Sequence, residues 1–283
     1  MKVVLFCGGL GTRLREYSET IPKPMVPIGH RPILWHLMKY YAHYGHREFI
    51  LCLGYRGDLI RQYFLNYDEC VSNDFVLSNG GRDVHLYRRD IEDWRITFVD
   101  TGLRANVGQR LKAVEKYLED DDAFLANYSD GLSDLNLPEY VSRFRAMDKV
   151  ASFLAVRPGQ SFHVVSAGPD GLVTDIRSVE ESDVLINGGF FVFKKEIFDH
   201  LAPGEELVEA PFRRLVDKGE LIAYRHRGFW SAMDTFKDKQ RFDDMESQGS
   251  TPWAVWKEAD AAGLEELRPY RQPAAVRGAE PGR

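Results

Sequence analysis

The sequence predicts an α/β protein with a mostly parallel sheet that helices cover on both faces. Short apolar runs with strand character alternate with stretches of helical periodicity through the first half of the chain. The stretches between these runs are long enough for the helices that connect parallel strands. A glycine cluster follows the first run at once and ends that strand in a turn.

The predicted elements follow one another in a regular order. Strands are expected at Val3–Cys7, Glu48–Gly54, Arg95–Asp100, Ala123–Tyr128, Ala151–Val156, Gly189–Phe193 and Leu221–His226. Helices are expected at Ile33–Tyr44, Asp58–Asn66, Gln109–Leu118 and Pro211–Lys218. No internal repeat and no linker divides the chain, which favours one domain. The last ~15 residues are rich in Pro, Ala, Gly and Arg and predict a loose tail.

Charge and composition exclude several functions. The 283 residues carry a formal net charge of −6, whereas nucleic-acid binding usually needs a basic excess. No segment approaches the ~18 to 20 apolar residues that span a bilayer, and no secretory signal opens the chain. Three cysteines, Cys7, Cys52 and Cys70, form no metal-like pair, and Cys7 and Cys52 are expected to be buried thiols. We therefore expect a cytoplasmic protein that contacts neither nucleic acid nor membrane.

The glycine cluster is the strongest functional signal. Gly8-Gly9-Leu10-Gly11-Thr12-Arg13-Leu14 lets the backbone approach phosphates closely, although a purely structural turn after a strand remains an alternative. It is neither a Walker loop nor the dinucleotide fingerprint. Pro22-Lys23-Pro24-Met25 is expected to hold a lysine on a stiff extended segment. An arginine and a lysine beside a glycine loop suit a triphosphate.

These two stretches resemble the signature of the sugar-phosphate nucleotidyltransferases. The similarity continues at Gly29–His36, Gly54–Gly57, Val99–Gly102, Tyr128–Gly131, Ile186–Phe191 and Gly228–Trp230. Over about residues 1–257 the chain most resembles the glucose-1-phosphate cytidylyltransferases. The resemblance implies a Rossmann-like three-layer sandwich with a mixed, mostly parallel sheet, and a homo-oligomer. It also implies one nucleotidyltransferase domain, with a nucleotide half (1–135) and an acceptor half (136–257), followed by a C-terminal extension (258–283).

The same resemblance implies roles for individual residues. Arg13 would contact the departing pyrophosphate, Lys23 the α-phosphate, and Arg110 would help to hold CTP. The expected nucleotide-binding residues are Phe6, Cys7, Gly8, Gly9, Leu10, Gly11, Thr12, Arg13, Lys23, Gly108, Arg110 and Ser129. Arg13, Lys23 and Asp130 are expected to be catalytic.

Two aspartates are the candidate Mg²⁺ ligands. Asp130 follows a predicted strand and precedes a glycine, where α/β sheets place ligand groups. Asp234 enters through the resemblance, which makes the two aspartates a metal pair, and Mg²⁺ needs only one or two carboxylates beside substrate phosphates. An ionised acceptor oxygen needs no general base, so in-line attack on the α-phosphorus of CTP is expected.

The acceptor half departs from the family pattern. The family carries Glu-Lys-Pro shortly before Asn-Gly-Gly, and that lysine holds the sugar phosphate, but no lysine occurs here between Lys149 and Lys194. Arg157, His163 and Arg177 are candidate replacements, and Tyr128, Asn187 and Gly188 complete the expected acceptor site. The acceptor is therefore either a sugar 1-phosphate, such as glucose 1-phosphate, or a small phosphonate of the phosphonoformate type. A non-catalytic nucleotide-binding module is the alternative from another class.

Overall fold

The central sheet of the computed structural model has eight strands, and smaller two-stranded sheets surround it. The structure describes residues 1–9, 20–159 and 162–257. Its strands are β1 (Val3–Phe6), β2 (Pro27–Ile28), β3 (Arg31–Pro32), β4 (Glu48–Leu53), β5 (Phe75–Ser78), β6 (Asp83–Leu86), β7 (Arg95–Asp100), β8 (Ala123–Tyr128), β9 (Gly131–Ser133), β10 (Ala151–Val156), β11 (His163–Ala167), β12 (Val173–Ser178), β13 (Ile186–Asn187), β14 (Phe191–Lys194), β15 (Leu221–Arg225) and β16 (Trp230–Ala232). Its α-helices are α1 (Ile33–His43), α2 (Gly57–Leu65), α3 (Val107–Ala113), α4 (Leu137–Met147), α5 (Ala210–Asp217) and α6 (Phe236–Ser247).

The central sheet is mixed and mostly parallel, which confirms the predicted fold class. Its strands follow the order β10–β14–β8–β1–β4–β7, and β13 and β15 also pair with β10. Strand β1 pairs in parallel with β8 and β4, β4 with β7, and β10 with β15. Strand β14 runs antiparallel to both β8 and β10 and so joins the two parallel parts.

Helices and buried side chains cover both faces of the sheet. Because side chains alternate along a strand, Val3 and Leu5 pack into one apolar cluster and Val4 and Phe6 into the other. Helix α1 contributes to the first cluster through fully buried side chains such as Tyr41. Helices α3 and α5 contribute to the second cluster. Each large apolar side chain buried in this way contributes about 1.5 to 3 kcal/mol to stability.

Several elements differ from the prediction. The strand expected at Gly189–Phe193 begins only at Phe191, because Gly189 and Phe190 have left-handed φ values of 74° and 48°. The segment around Lys23 is a 3₁₀ turn (Lys23–Met25) rather than an extended segment. Proline fixes φ near −65°, a value that suits both conformations, so the prolines alone could not decide between them.

Four two-stranded sheets and two helices were not predicted from the sequence. They comprise the hairpins β5–β6 and β11–β12, the pairs β2–β3 and β9–β16, and the helices α4 and α6. None of the described helices is long and apolar enough to cross a membrane. The predicted tail, 258–283, lies outside the described residues.

Candidate active site

A cavity of about 220 Å³ opens at the carboxyl ends of β1 and β8, the edge at which open α/β sheets bind ligands. It gathers many residues that the sequence singled out. Its lining consists of Phe6, Gly9, Lys23, Pro24, Ala105, Asn106, Val107, Arg110, Tyr128, Ser129, Asp130 and Glu206. Leu10, Gly11, Thr12 and Arg13 lie outside the described residues.

One ammonium group joins the two predicted metal ligands. Lys23 Nζ lies 2.5 Å from Asp130 Oδ2 and 2.7 Å from Asp234 Oδ1. Burial alone would lower the pKa of Lys23, but the two carboxylates raise it above its ordinary value. Lys23 is therefore a cation at neutral pH, and both carboxylates converge on one positive charge.

A pair of short strands brings these distant aspartates together. Strand β9 follows Asp130 directly, and strand β16 ends two residues before Asp234. The strands run antiparallel with Ala232 opposite Gly131, and Met233 N–H donates to the Asp130 carbonyl at 2.9 Å. The register of this pair therefore sets the position of Asp234, which sequence patterns alone did not single out.

The donor set around Lys23 suits a magnesium ion. Two carboxylates that one cation can bridge match the one or two protein ligands that Mg²⁺ takes beside phosphates and water. Within the described part of the chain, no group of three or more His, Cys, Asp or Glu side chains is arranged to hold a metal. A bound ion would therefore need further ligands from a phosphate group.

Arg110 lies beneath the glycine loop and is 3 % exposed. Its Nη2 donates to the Gly8 carbonyl at 2.8 Å, and its Nη1 lies 2.7 Å from Thr101 Oγ1. Nη1 is also 3.1 Å from the Leu53 carbonyl and 3.0 Å from the Gly102 carbonyl. The guanidinium thus ties together the loops that follow β1, β4 and β7, although it also lines the cavity.

Two glycines are required by close packing. A Cβ on Gly8 would lie 2.1 Å from Arg110 Nη1, so the loop approaches the guanidinium as closely as only glycine allows. A Cβ on Gly108 would lie 2.2 Å from the Glu205 carbonyl oxygen. Gly108 therefore packs against the 205–207 segment and is not part of the cavity lining.

Buried hydrogen-bonding groups fix the ends of β1 and β8 next to each other. Ser129 Oγ donates to the Phe6 carbonyl at 2.8 Å. Cys7 is fully buried, as is Cys52, and burial raises the pKa of the Cys7 thiol to about 12. The expectation that both are buried thiols is confirmed, and the Cys7 N–H is also occupied, because it donates to the Cys52 carbonyl at 2.9 Å.

Part of the predicted acceptor site also comes together. Asn187 Nδ2 lies 3.5 Å from Tyr128 Oη, and Trp230 Nε1 donates to the Gly188 carbonyl at 2.8 Å. Strand β10 pairs with β13 so that Ala155 lies opposite Asn187. Arg157 follows the end of β10 and is exposed. It therefore directly follows the part of β10 that pairs with β13, the strand that carries Asn187.

The other two predicted acceptor cations do not share a face. In the hairpin β11–β12, His163 lies opposite Ser178 and Val164 opposite Arg177. Because opposed residues point to the same face and neighbours to opposite faces, His163 and Arg177 project from opposite sides. Both are exposed, and Arg177 Nε lies 3.3 Å from Asp175 Oδ2. From this hairpin they cannot hold one phosphate together.

Sequence reasoning missed Glu206, Asn106 and Thr101. Asn106 begins α3 with a capping box to Gln109, a pattern visible in the sequence as Asn-x-x-Gln. Thr101 and Glu206 carry no comparable local signal. A larger, open cavity of about 980 Å³ lies elsewhere, and the acidic run 119–122 in its lining suits a triphosphate poorly.

Comparison with protein families and curated proteins gives consistent matches. The family model described as "Nucleotidyl transferase" matches residues 2–238. The chain is 40 % identical over 263 residues to "Glucose-1-phosphate cytidylyltransferase" of Salmonella typhimurium, covering 91 % of this chain and all of that protein. It is 39 % identical to "Probable glucose-1-phosphate cytidylyltransferase" of Bacillus subtilis, covering 90 % of this chain and all of that protein.

Solved structures share the fold at lower sequence identity. UDP-glucose pyrophosphorylase from Acinetobacter baumanii matches with a TM-score of 0.65 at 17 % identity, over 93 % of this chain and 99 % of that one. HddC from Yersinia pseudotuberculosis matches with a TM-score of 0.62 at 21 % identity, over 86 % and 98 % of the two chains.

Proposed function

Because the chain belongs to the nucleotidyl transferase family, we propose that it moves CMP from CTP to a phosphate-type acceptor and releases pyrophosphate. The acceptor we propose is a sugar 1-phosphate such as glucose 1-phosphate, by analogy with the relatives at 40 % and 39 % identity. The observation that carries the proposal is the convergence of Asp130 and Asp234 on Lys23, at the edge of a cavity beside the glycine loop.

The proposed chemistry is an in-line displacement. An ionised acceptor oxygen attacks the α-phosphorus, a new P–O bond forms, and the bond to the β-phosphate oxygen breaks as pyrophosphate leaves. No proton has to be removed from the acceptor, so the protein contributes positioning and charge neutralisation. Lys23 supplies a positive charge for the α-phosphate, and Arg13 remains the predicted contact of the pyrophosphate.

Asp130 and Asp234 would hold Mg²⁺, which when bound neutralises charge on the nucleotide phosphates. One of these carboxylates comes from each predicted half of the chain, 1–135 and 136–257. The reaction would thus take place where the halves meet. The division itself, the homo-oligomer and the expected roles of Gly108, Arg110 and Ser129 stay predictions.

A small phosphonate remains a second candidate acceptor. It is favoured by the absence of a lysine between Lys149 and Lys194, and by the opposite orientations of His163 and Arg177. A small phosphonate needs fewer contacts than a sugar phosphate, and Arg157 could bind its charge alone.

The test is pyrophosphate release across a matrix of nucleotides and acceptors with Mg²⁺ present. CTP with glucose 1-phosphate or another sugar 1-phosphate should give turnover, and Asp130→Asn should abolish it. Turnover only with phosphonates would transfer the proposal to the second acceptor. CTP binding without pyrophosphate release from any pair would contradict catalysis and favour a nucleotide-binding module.

A further inference from the structure

Glu206 places a negative charge in the wall of the cavity that the proposed function assigns to the nucleotide. The residue lies in the segment before α5 and is half-buried. Its Oε1 accepts from Leu207 N–H at 3.0 Å, and its Oε2 accepts from Val107 N–H at 3.3 Å. The carboxylate is therefore held in place at the start of α3, beside the cavity lining.

Capping of α3 uses one acceptor site on one oxygen of this carboxylate, through the Val107 N–H. The rest of the cap is Asn106, whose Oδ1 accepts from Gln109 N–H at 2.8 Å. Gln109 Oε1 in turn accepts from Asn106 N–H at 2.9 Å. Each carboxylate oxygen of Glu206 can accept a further hydrogen bond, since its contacts with Val107 and Leu207 use one each. The side chain thus retains acceptor capacity at the cavity wall.

A carboxylate beside a triphosphate is unfavourable unless the ligand brings a hydrogen-bond donor to it. The negative charge of Glu206 acts on Tyr128, another residue of the cavity lining. Burial raises the pKa of Tyr128 to about 12, and the carboxylates of Glu206 and Asp130 add to this rise. The donor must belong to the part of the nucleotide that faces Glu206.

The position of Glu206 points to the nucleoside. Lys23 and Asp130 form the part of the lining to which the proposed function assigns phosphate and metal. Glu206 contacts Val107 at the start of α3, and Ala105 and Asn106 also line the cavity there. With the phosphates assigned to Lys23 and the metal, we assign this part of the lining to the ribose and the base.

We propose that Glu206 selects CTP over UTP by accepting a hydrogen bond from the amino group at C4 of cytosine. Uracil carries a carbonyl oxygen at that position, which would set two acceptors against each other. Such a mismatch leaves both groups unpaired, so we expect the unaltered protein to prefer CTP by about 10- to 100-fold. The inference rests on the proposed function for the identity of the pocket.

Glu206→Gln is the direct test. A glutamine side chain can accept from cytosine or donate to uracil, so the CTP preference should shrink by about 10- to 100-fold. Glu209→Gln is the matched control, because Glu209 is an exposed carboxylate on the same segment. The control should keep the preference of the unaltered protein. Binding of Mg²⁺–CTP and Mg²⁺–UTP is measured by calorimetry, and the ratio of kcat/KM values by pyrophosphate release.

The possible outcomes separate this inference from the proposed function. A CTP preference in the unaltered protein that collapses only in Glu206→Gln supports the inference, even if no acceptor gives turnover and catalysis is refuted. An unchanged preference in Glu206→Gln would show that the carboxylate is only structural. Equal weakening of both nucleotides would assign Glu206 to the ribose. Either of these two results overturns the inference, as does an unaltered protein that binds CTP and UTP equally.

Discussion

Replacing Arg110 with alanine should destabilise the fold and weaken nucleotide binding together. The guanidinium is nearly inaccessible and donates to the carbonyls of Gly8, Leu53 and Gly102 and to Thr101 Oγ1. Alanine removes every one of these bonds without supplying a substitute. Because Gly8 belongs to the glycine loop, the loss reaches the cavity directly.

The size of the effect follows from the acceptors that would be left behind. Of the four contacts, those to the Gly8 and Leu53 carbonyls are buried, and those to Thr101 and Gly102 are partly buried. An unsatisfied buried acceptor costs about 1 to 3 kcal/mol. Water can reach the partly buried pair, and the Leu53 carbonyl still accepts from Thr101 N–H at 3.0 Å and from Thr101 Oγ1 at 2.8 Å. The Gly8 carbonyl keeps only a 3.5 Å contact with Tyr55 N–H, so it is the acceptor that loses its main partner. We expect the free energy of unfolding to fall by about 1 to 3 kcal/mol, the cost of one such acceptor.

The assay is urea unfolding, with CTP binding measured alongside. The free energy of unfolding of Arg110→Lys should lie between those of Arg110→Ala and the unaltered protein. An ammonium group keeps the charge but cannot reach acceptors on two sides as the planar guanidinium does. Arg95→Ala is the control, since the Arg95 side chain is 82 % exposed and should cost less than about 0.5 kcal/mol. An Arg110→Ala protein within about 0.5 kcal/mol of the unaltered one would refute the reasoning.

Three further variants test other parts of the structure. Lys23→Met removes the cation that the two aspartates share, so Mg²⁺ should raise the Tm of this variant more than that of the unaltered protein. Turnover should fall at least about 100-fold. An equal rise of Tm with Mg²⁺ in both proteins would contradict a site shared by Lys23 and the metal. Gly108→Ala drives a Cβ into the Glu205 carbonyl and should cost about 1 to 3 kcal/mol in thermal unfolding. Gly9→Ala should cost little, because its Cβ would have no neighbour within 4 Å among the described residues. Burial lowers the pKa of His36 from 6.5 to about 4. As the pH falls, His36 therefore takes up a proton in the unfolded chain before it does so in the folded protein. The free energy of unfolding should decrease by about 3 kcal/mol between pH 6.5 and pH 4. His36→Gln should flatten that decline in urea unfolding, and an unchanged pH profile would show that His36 is not its source.

The core strands of the fold could be predicted from the sequence because their signal is local. Strands β1, β4 and β8 are predominantly apolar, with Glu48 at the start of β4 and Asn127 within β8 as their polar residues, and consecutive residues of each are buried. The pairs β9–β16 and β2–β3 contain strands of two or three residues. Runs that short carry no periodicity, and β9 pairs with a strand about a hundred residues away, so no local pattern could reveal them.

The candidate site was predictable to the same extent as the elements that build it. Lys23 lies in a proline-flanked tetrapeptide and Asp130 at the end of a clear strand, so both stood out locally. Asp234 reaches them only through the β9–β16 pair, and family resemblance, not the local pattern, brought it forward. Glu206 reaches the cavity from a loop between two helical segments, and nothing near it in sequence marks it.

Arg110 shows why the role of a cation beside a glycine loop depends on its burial. The same five N–H donors can bind a phosphate or the carbonyls of the loop itself, and sequence does not distinguish the two. In the structure Arg110 is 3 % exposed and four contacts to protein acceptors occupy its two terminal nitrogens. Few of its donors are left for a triphosphate. Within the proposed function, the phosphate charge must therefore be met by Lys23, by the predicted Arg13 and by the metal, while Arg110 fixes the loop on which they depend.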